Sequence, residues 1–375
     1  MIQLNLTIEI LYTILNKMKI LQVITSMDIG GAERLLTEIV PMINTLGHTC
    51  DVALFDGHPT SFKTLLLKKG VKILDFSQGR SVYHPYNIFS LLKLIKHYDI
   101  VHTHNMSPQL FGAITSVFRN VRLITTEHST SNRRRNWWWY KLVDSWMYSR
   151  YKAIISISPS TTENLCQYLK ISCPIYTIYN GVNVKKYSES SSISRDELQI
   201  KKDSILLVMV AGFRQQKDQK TVVRALSKLP PRYELVFVGD GPYKKECISL
   251  AKELSVYDRV HFLGIRSDVA NILKASDIVI MSSHWEGFGL AAVEGMAAGK
   301  PVIASDVPGL SEVVKGAGLL FPRGDDDKLS SLISSLILDK TRYKEIASKC
   351  LNRSYEYDIN KMVEKYIDVY KKITK

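Results

Sequence analysis

The sequence predicts an α/β protein made of two parallel-sheet domains, and three observations lead there. Short β-branched or apolar runs alternate with helix-length segments, the pattern of repeated β-α-β units. The alternation occurs twice, on either side of the serine-rich and charged stretch SESSSISRDELQIKKD (188–203), which reads as a linker or exposed edge. A chain of 375 residues also exceeds what one core comfortably holds, so two domains of roughly 150 to 200 residues are expected.

Taken in order, ILQVIT (20–25) is a buried first strand and AERLLTEIVPMINTLG (32–47) the helix after it. CDVALF, FKTLLLKKG and VKILDF continue the alternation, and DIVHTH, RLITTEH, AIISIS and IYTIYNGV supply further strands separated by helix-length segments. Beyond the linker, ILLVMVAG, KTVVRALSKL, ELVFVGD, YKKECISLAKEL, VHFLG, DIVIMSS, AAVEGMAAG and PVIASD repeat the scheme. Right-handed crossovers put all strand C-termini of a sheet on one side, so functional residues are expected just after strands. The expected division is 18–187 for the first domain, 204–355 for the second and a terminal helix over 356–375. Residues 1–17 read as an upstream extension, because MKILQVIT from Met18 is itself a strand.

Composition is that of a folded globular chain, 45% hydrophobic and 23% charged, which excludes disordered and fibrous classes. The five cysteines (Cys50, Cys166, Cys173, Cys247, Cys350) are odd in number and form no C-x-x-C pair, arguing against a disulfide framework or a structural zinc site. The opening MIQLNLTIEILYTILNKMK lacks a basic leader and a cleavage site, and is too polar for a spanning helix. These features suggest a cytoplasmic setting. The net charge of +14 calls for an anionic partner without choosing among nucleic acid, anionic lipid and phosphorylated metabolites.

The segment DIVIMSSHWEGFGLAAVEGMAAGKPVIASD (277–306) carries the strongest chemistry. After a strand comes a loop with Glu286, Gly287 and Gly289, then a helix ended by Gly299. Glycines let backbone amides approach a ligand, and the first free amides of a helix bind phosphate oxygens. Glu294 follows Glu286 at an interval shared by Glu189/Glu197 and Glu356/Glu364, but only the middle pair has a strand before it, glycines inside it and a strand after it.

EGFGLAAVE followed by GMAAGKPVIASDVPGLSEVV resembles the donor-site signature of the retaining glycosyltransferases of family 4, and GGAERLL, VHTH, IYNGVN, QKDQKTVVRAL, VGDGP and HFLG continue the likeness from Met18 onward. The resemblance implies the GT-B architecture: two Rossmann-like domains facing a central cleft, with a C-terminal helix crossing back to the first. It implies that Glu286 binds donor-sugar hydroxyls and Glu294 the ribose, and that Gly287 and the Phe288, Gly289 and Leu290 amides hold the diphosphate. Lys217 would neutralise the leaving phosphates, with Leu263 and Gly31 (beside Gly30) also on the donor side. The family often has an arginine five residues before that lysine. Here Gly212 stands there, and Arg214 is the candidate replacement. His104 would line the sugar pocket, with Glu127 and His128 as acceptor contacts.

The chemistry so implied is sugar transfer from a nucleotide sugar, with UDP the expected carrier, to a glycan or lipid-linked glycan of a cell-surface polysaccharide. Phosphate charge would be met by amides and cations rather than a metal or other cofactor, and Asp325, Asp326 and Asp327 read as solvated loop charges. Two alternatives stay open: a nucleotide-sugar 2-epimerase, and a basic nucleic-acid-binding protein, although no recognition module supports specific nucleic-acid binding. NRRRNWWWYK (132–141) follows His128. Arg133 and Arg134 suit the phosphates of an acceptor or an anionic membrane surface, while the tryptophans are either interfacial or partly buried helix residues.

Overall fold

The computed structural model describes residues 17–28, 30–76, 79–129 and 137–375. The chain forms two compact units: one runs to Tyr179 and takes back Met362–Lys375, and the other is Asn180–Lys361.

In the first unit, β1 (Lys19–Ile24), β2 (Thr49–Leu54), β3 (Ile73–Asp75), β4 (Ile100–His104), β5 (Arg122–Glu127), β6 (Ala153–Ser156) and β7 (Ile175–Thr177) form a sheet ordered β3-β2-β1-β4-β5-β6-β7. Every neighbouring pair is parallel. All five residues of β4 are buried, as a strand covered on both faces requires. One covering layer packs Leu91, Phe111, Tyr148, Tyr151 and Leu165 against Leu21, Val101, Leu123 and Ile154.

In the second unit, β8 (Ile205–Val210), β9 (Tyr233–Val238), β10 (Val260–Phe262), β11 (Ile278–Met281), β12 (Val302–Ser305) and β13 (Leu319–Phe321) form a second parallel sheet ordered β10-β9-β8-β11-β12-β13. Strand order reverses between β1 and β4 in one sheet and between β8 and β11 in the other. Crevices at the strand C-termini open at such reversals. GGAERLL, QKDQKTVVRAL and EGFGLAAVE follow β1, β8 and β11, and VHTH ends β4.

Several boundaries differ from expectation. The units divide at Tyr179/Asn180, and the stretch 188–203 belongs to the second unit. Tertiary bonds hold it there: Ser190 Oγ donates to Ala270 O at 3.2 Å and Arg195 pairs with Asp277 at 2.9 Å. The second unit continues to Lys361 because the Val182 amide donates to Tyr357 O and the Ile359 amide to Val182 O, pinning 182 beside 357–359. The terminal helix is Ile359–Thr374. The acidic triplet is not simply solvated. Asp325 caps the helix Asp326–Leu338 through the Lys328 amide, and Asp326 pairs with Arg224 and Lys228. Residues 1–16, most of the expected extension, lie outside the described residues. No helix among the described residues is long and apolar enough to cross a membrane.

Candidate functional site

In the second unit two loops are stitched together above β8 and β11. Ser282 Oγ donates to the carbonyls of Lys217 (2.9 Å) and Asp218 (2.8 Å). The His284 amide donates to Gln216 O, and Gln216 Nε2 donates to Trp285 O at 2.8 Å. This stitching brings Lys217 Nζ to 2.5 Å from Glu286 Oε2, in an ion pair whose side chains are 19% and 14% exposed. Ser283 Oγ gives Glu286 a second bond at 3.2 Å. Ser282, Ser283 and Gln216 were not singled out in the sequence. Serine at a strand end is a weak signal, and their value here depends on the adjacency of β8 and β11.

The loop then turns through Gly287 into the buried Phe288, whose ring meets Tyr357 edge-on at 5.2 Å. Gly289 (φ 91°) starts the helix Leu290–Ala297 in a left-handed conformation and supplies no side-chain cap. The first amides of that helix therefore face outward without a capping side chain, as a phosphate site needs. Glu294, expected two turns into the helix, is its fifth residue, because Gly289 delays the start. It is 2% exposed.

Arg214 is exposed, and no hydrogen bond or ion pair of its guanidinium occurs among the described residues. Its Nε lies 3.9 Å from where a Cβ on Gly212 would sit. Leu263 follows β10, two strands from β8, and is partly buried.

In the first unit, Gly30 is the extended N-cap (φ −152°) of the helix Gly31–Thr45, again without a side-chain cap. Gly30 therefore needs no left-handed conformation. Residues alternate faces along a strand, and β4 and β5 show it plainly. His102 and His104 share a face with Thr126 and His128: His102 Nε2 lies 2.7 Å from Thr126 Oγ1, and His104 Nδ1 lies 2.9 Å from His128 Nε2. Glu127 points the opposite way, accepting from Gln109 Nε2 at 2.7 Å and from the Tyr148 hydroxyl. Glu127, expected as an acceptor contact, is thus buried on the face of β5 opposite His128.

His104 is fully buried, its other nitrogen 2.8 Å from Gln22 Oε1. His128, partly exposed, is the member of the pair nearer solvent. Burial lowers the pKa of His102 to about 3 and that of His104 well below its usual value, so both are neutral imidazoles.

Arg133 and Arg134 lie outside the described residues. The tryptophans beside them are exposed, Trp138 at 82%, so they are not partly buried helix residues. Trp137 and Trp139 stack at 5.8 Å, and Leu142 and Trp146 of the helix Tyr140–Ser149 are also exposed.

Comparison with known proteins places these features. Residues 190–353 match the family model described as glycosyl transferases group 1, and residues 29–186 match glycosyltransferase family 4. The chain is 27% identical to the N-acetyl-alpha-D-glucosaminyl L-malate synthase of Bacillus anthracis, over 77% of this chain and 80% of that one. It is 28% identical to the UDP-Gal:alpha-D-GlcNAc-diphosphoundecaprenol alpha-1,3-galactosyltransferase of Escherichia coli, over 76% and 78%. The crystal structure of Anabaena Alr3699/HepE in complex with UDP and glucose superposes with a TM-score of 0.85 at 25% identity, covering 95% of this chain and all of that one.

Proposed function

Because the chain belongs to the glycosyltransferases and has their GT-B fold, we propose that it moves a sugar from a UDP-sugar, with retention, onto a glycan or lipid-linked glycan. The observation that carries this is the Lys217–Glu286 pair beside the uncapped helix start at Gly289. A nucleotide sugar offers complementary groups: hydroxyls for the Glu286 carboxylate, and a diphosphate for the helix amides and the Lys217 ammonium.

As the bond from the sugar to phosphate breaks, negative charge grows on the departing diphosphate. Preorganised amides, Lys217 and Arg214 stabilise that charge in the transition state. The incoming hydroxyl then attacks from the face the diphosphate leaves and gives its proton to the departing phosphate oxygen, which gives retention. Glu294 holds the ribose. The charge work is done by protein groups, so transfer proceeds without a metal ion and survives chelation by EDTA.

UDP as carrier is supported by the UDP-bound neighbour and by the donor in the E. coli relative's name. A polyprenyl-diphosphate acceptor is supported by the same relative. The exposed tryptophans next to Arg133 and Arg134 support an acceptor gate at an anionic membrane surface on the cytoplasmic side. A thermal-shift and turnover panel of UDP-glucose, UDP-galactose, UDP-N-acetylglucosamine and GDP-mannose tests the reading. Folded protein that neither binds nor turns over any of them would refute it.

A further inference from the structure

Gln22 lies on β1 in register with His102, fully buried. Its Nε2 donates to the Tyr370 hydroxyl oxygen at 3.1 Å and to Cys50 Sγ at 3.7 Å, while its Oε1 takes the bond from His104 Nε2. This orientation uses both amide protons. Turning the amide over would place its nitrogen against His104 with one buried N–H lacking an acceptor, which costs a full desolvation penalty.

The remaining protons follow. Tyr370, accepting from Gln22, donates its hydroxyl O–H to His102 Nδ1 at 2.7 Å, so His102 carries its one proton on Nε2 and donates that N–H to Thr126. His104 carries its proton on Nε2 toward Gln22. Its Nδ1 is then a lone pair and accepts a hydrogen bond from His128 Nε2–H at 2.9 Å. No hydrogen bond among the described residues reaches Nδ1 of His128. Neutral rings are what this order requires, and burial keeps His102 and His104 neutral. The thiol of Cys50, pushed up to about 12, adds no charge.

We propose that Gln22 is a positioning residue that sets the proton order of the His104–His128 pair, leaving His128 with a lone pair on Nδ1 for a hydroxyl-bearing substrate. The substrate half of this statement rests on the transferase reading above; the proton order does not. Gln22 touches no substrate and acts only through His104.

Long-range proton–nitrogen correlation spectra of histidine-labelled protein, assigned with His128→Gln, read the order directly. Both His104 and His128 are expected to carry their proton on Nε2. In Gln22→Glu the carboxylate holds His104 as an imidazolium, which donates from Nδ1 to His128 and moves the His128 proton to its own Nδ1. A wild-type His104 protonated on Nδ1, or a Gln22→Glu spectrum with the His128 proton unmoved, overturns the proposal. The wild-type spectrum decides the order even if the variant does not fold. With UDP-glucose as probe, released UDP should fall at least tenfold in Gln22→Glu. Full turnover despite a reversed order would refute the substrate role of His128, and a wild-type protein inert to the whole panel would refute the transferase reading, with the proton order still decided by the spectrum.

Discussion

Arg214 lies over a position that has no side chain. Gly212 has neither a left-handed backbone nor a crowded Cβ site: the built Cβ would meet only Asp240 O at 3.4 Å and Arg214 Nε at 3.9 Å. Its absent side chain leaves room for the guanidinium, and we propose that one cationic slot can be filled from either position. Arg214→Ala should lower kcat/KM about 10- to 100-fold, and adding Gly212→Arg should restore most of it. Steady-state rates of the single and double variants check this; a double variant no better than the single one refutes the shared slot. On the proposed donor-binding role of Glu286, Glu286→Gln should cost at least about 100-fold in kcat, measured by steady-state rates on folded variant protein. Glu286 and Lys217 were legible as separate motif residues. Their pairing was not, because they are 69 positions apart and meet only when β8 and β11 become neighbours. The partners of Glu127 were hidden for a related reason. Alternation along β5 is visible in the sequence, but Gln109 and Tyr148 arrive from other elements.

At the scale of elements, the strands were legible because fully buried parallel strands are continuous β-branched runs. The boundaries were less so. Serine-rich composition suggests a linker, yet 188–203 is fixed by bonds to Ala270 and Asp277 that no local pattern announces. The helix Leu290–Ala297 shows how tertiary packing sets a helix start. Gly289 is left-handed, and a Cβ there would approach Leu310 Cδ2 to 2.5 Å. Gly289→Ala should therefore destabilise the protein by about 1 to 3 kcal/mol through strain and overlap. It should also weaken nucleotide-sugar binding by displacing the first helix amides. Urea unfolding and the thermal shift with UDP-sugars measure the two effects separately, and stability equal to wild type would show that the start is not under this constraint.

At the scale of the whole molecule, the consequence that follows from burial is the pH dependence of stability. The face of β4 and β5 that holds the histidines receives Tyr366 and Tyr370 from the terminal helix, which closes His102 and His104 away from water. An unfolded histidine takes up its proton near pH 6.5. Folded His102 does so only at about 3, and folded His104 also far below its usual value. Between those limits the unfolded chain binds more protons than the folded one, so unfolding free energy rises with pH and is lost as pH falls below 6.5. Each fully shifted histidine contributes about 1.4 kcal/mol per pH unit in that window. Carboxylates also lower stability in acid, so the test compares slopes rather than values. Between pH 6 and 4.5 the urea-unfolding free energy of His102→Gln should fall less steeply than that of wild type, by about 1.4 kcal/mol per unit, whatever the offset between the two at pH 7. Equal slopes would mean that His102 is hydrated or charged in the native state, and the neutral histidine chain inferred from Gln22 would fall with it.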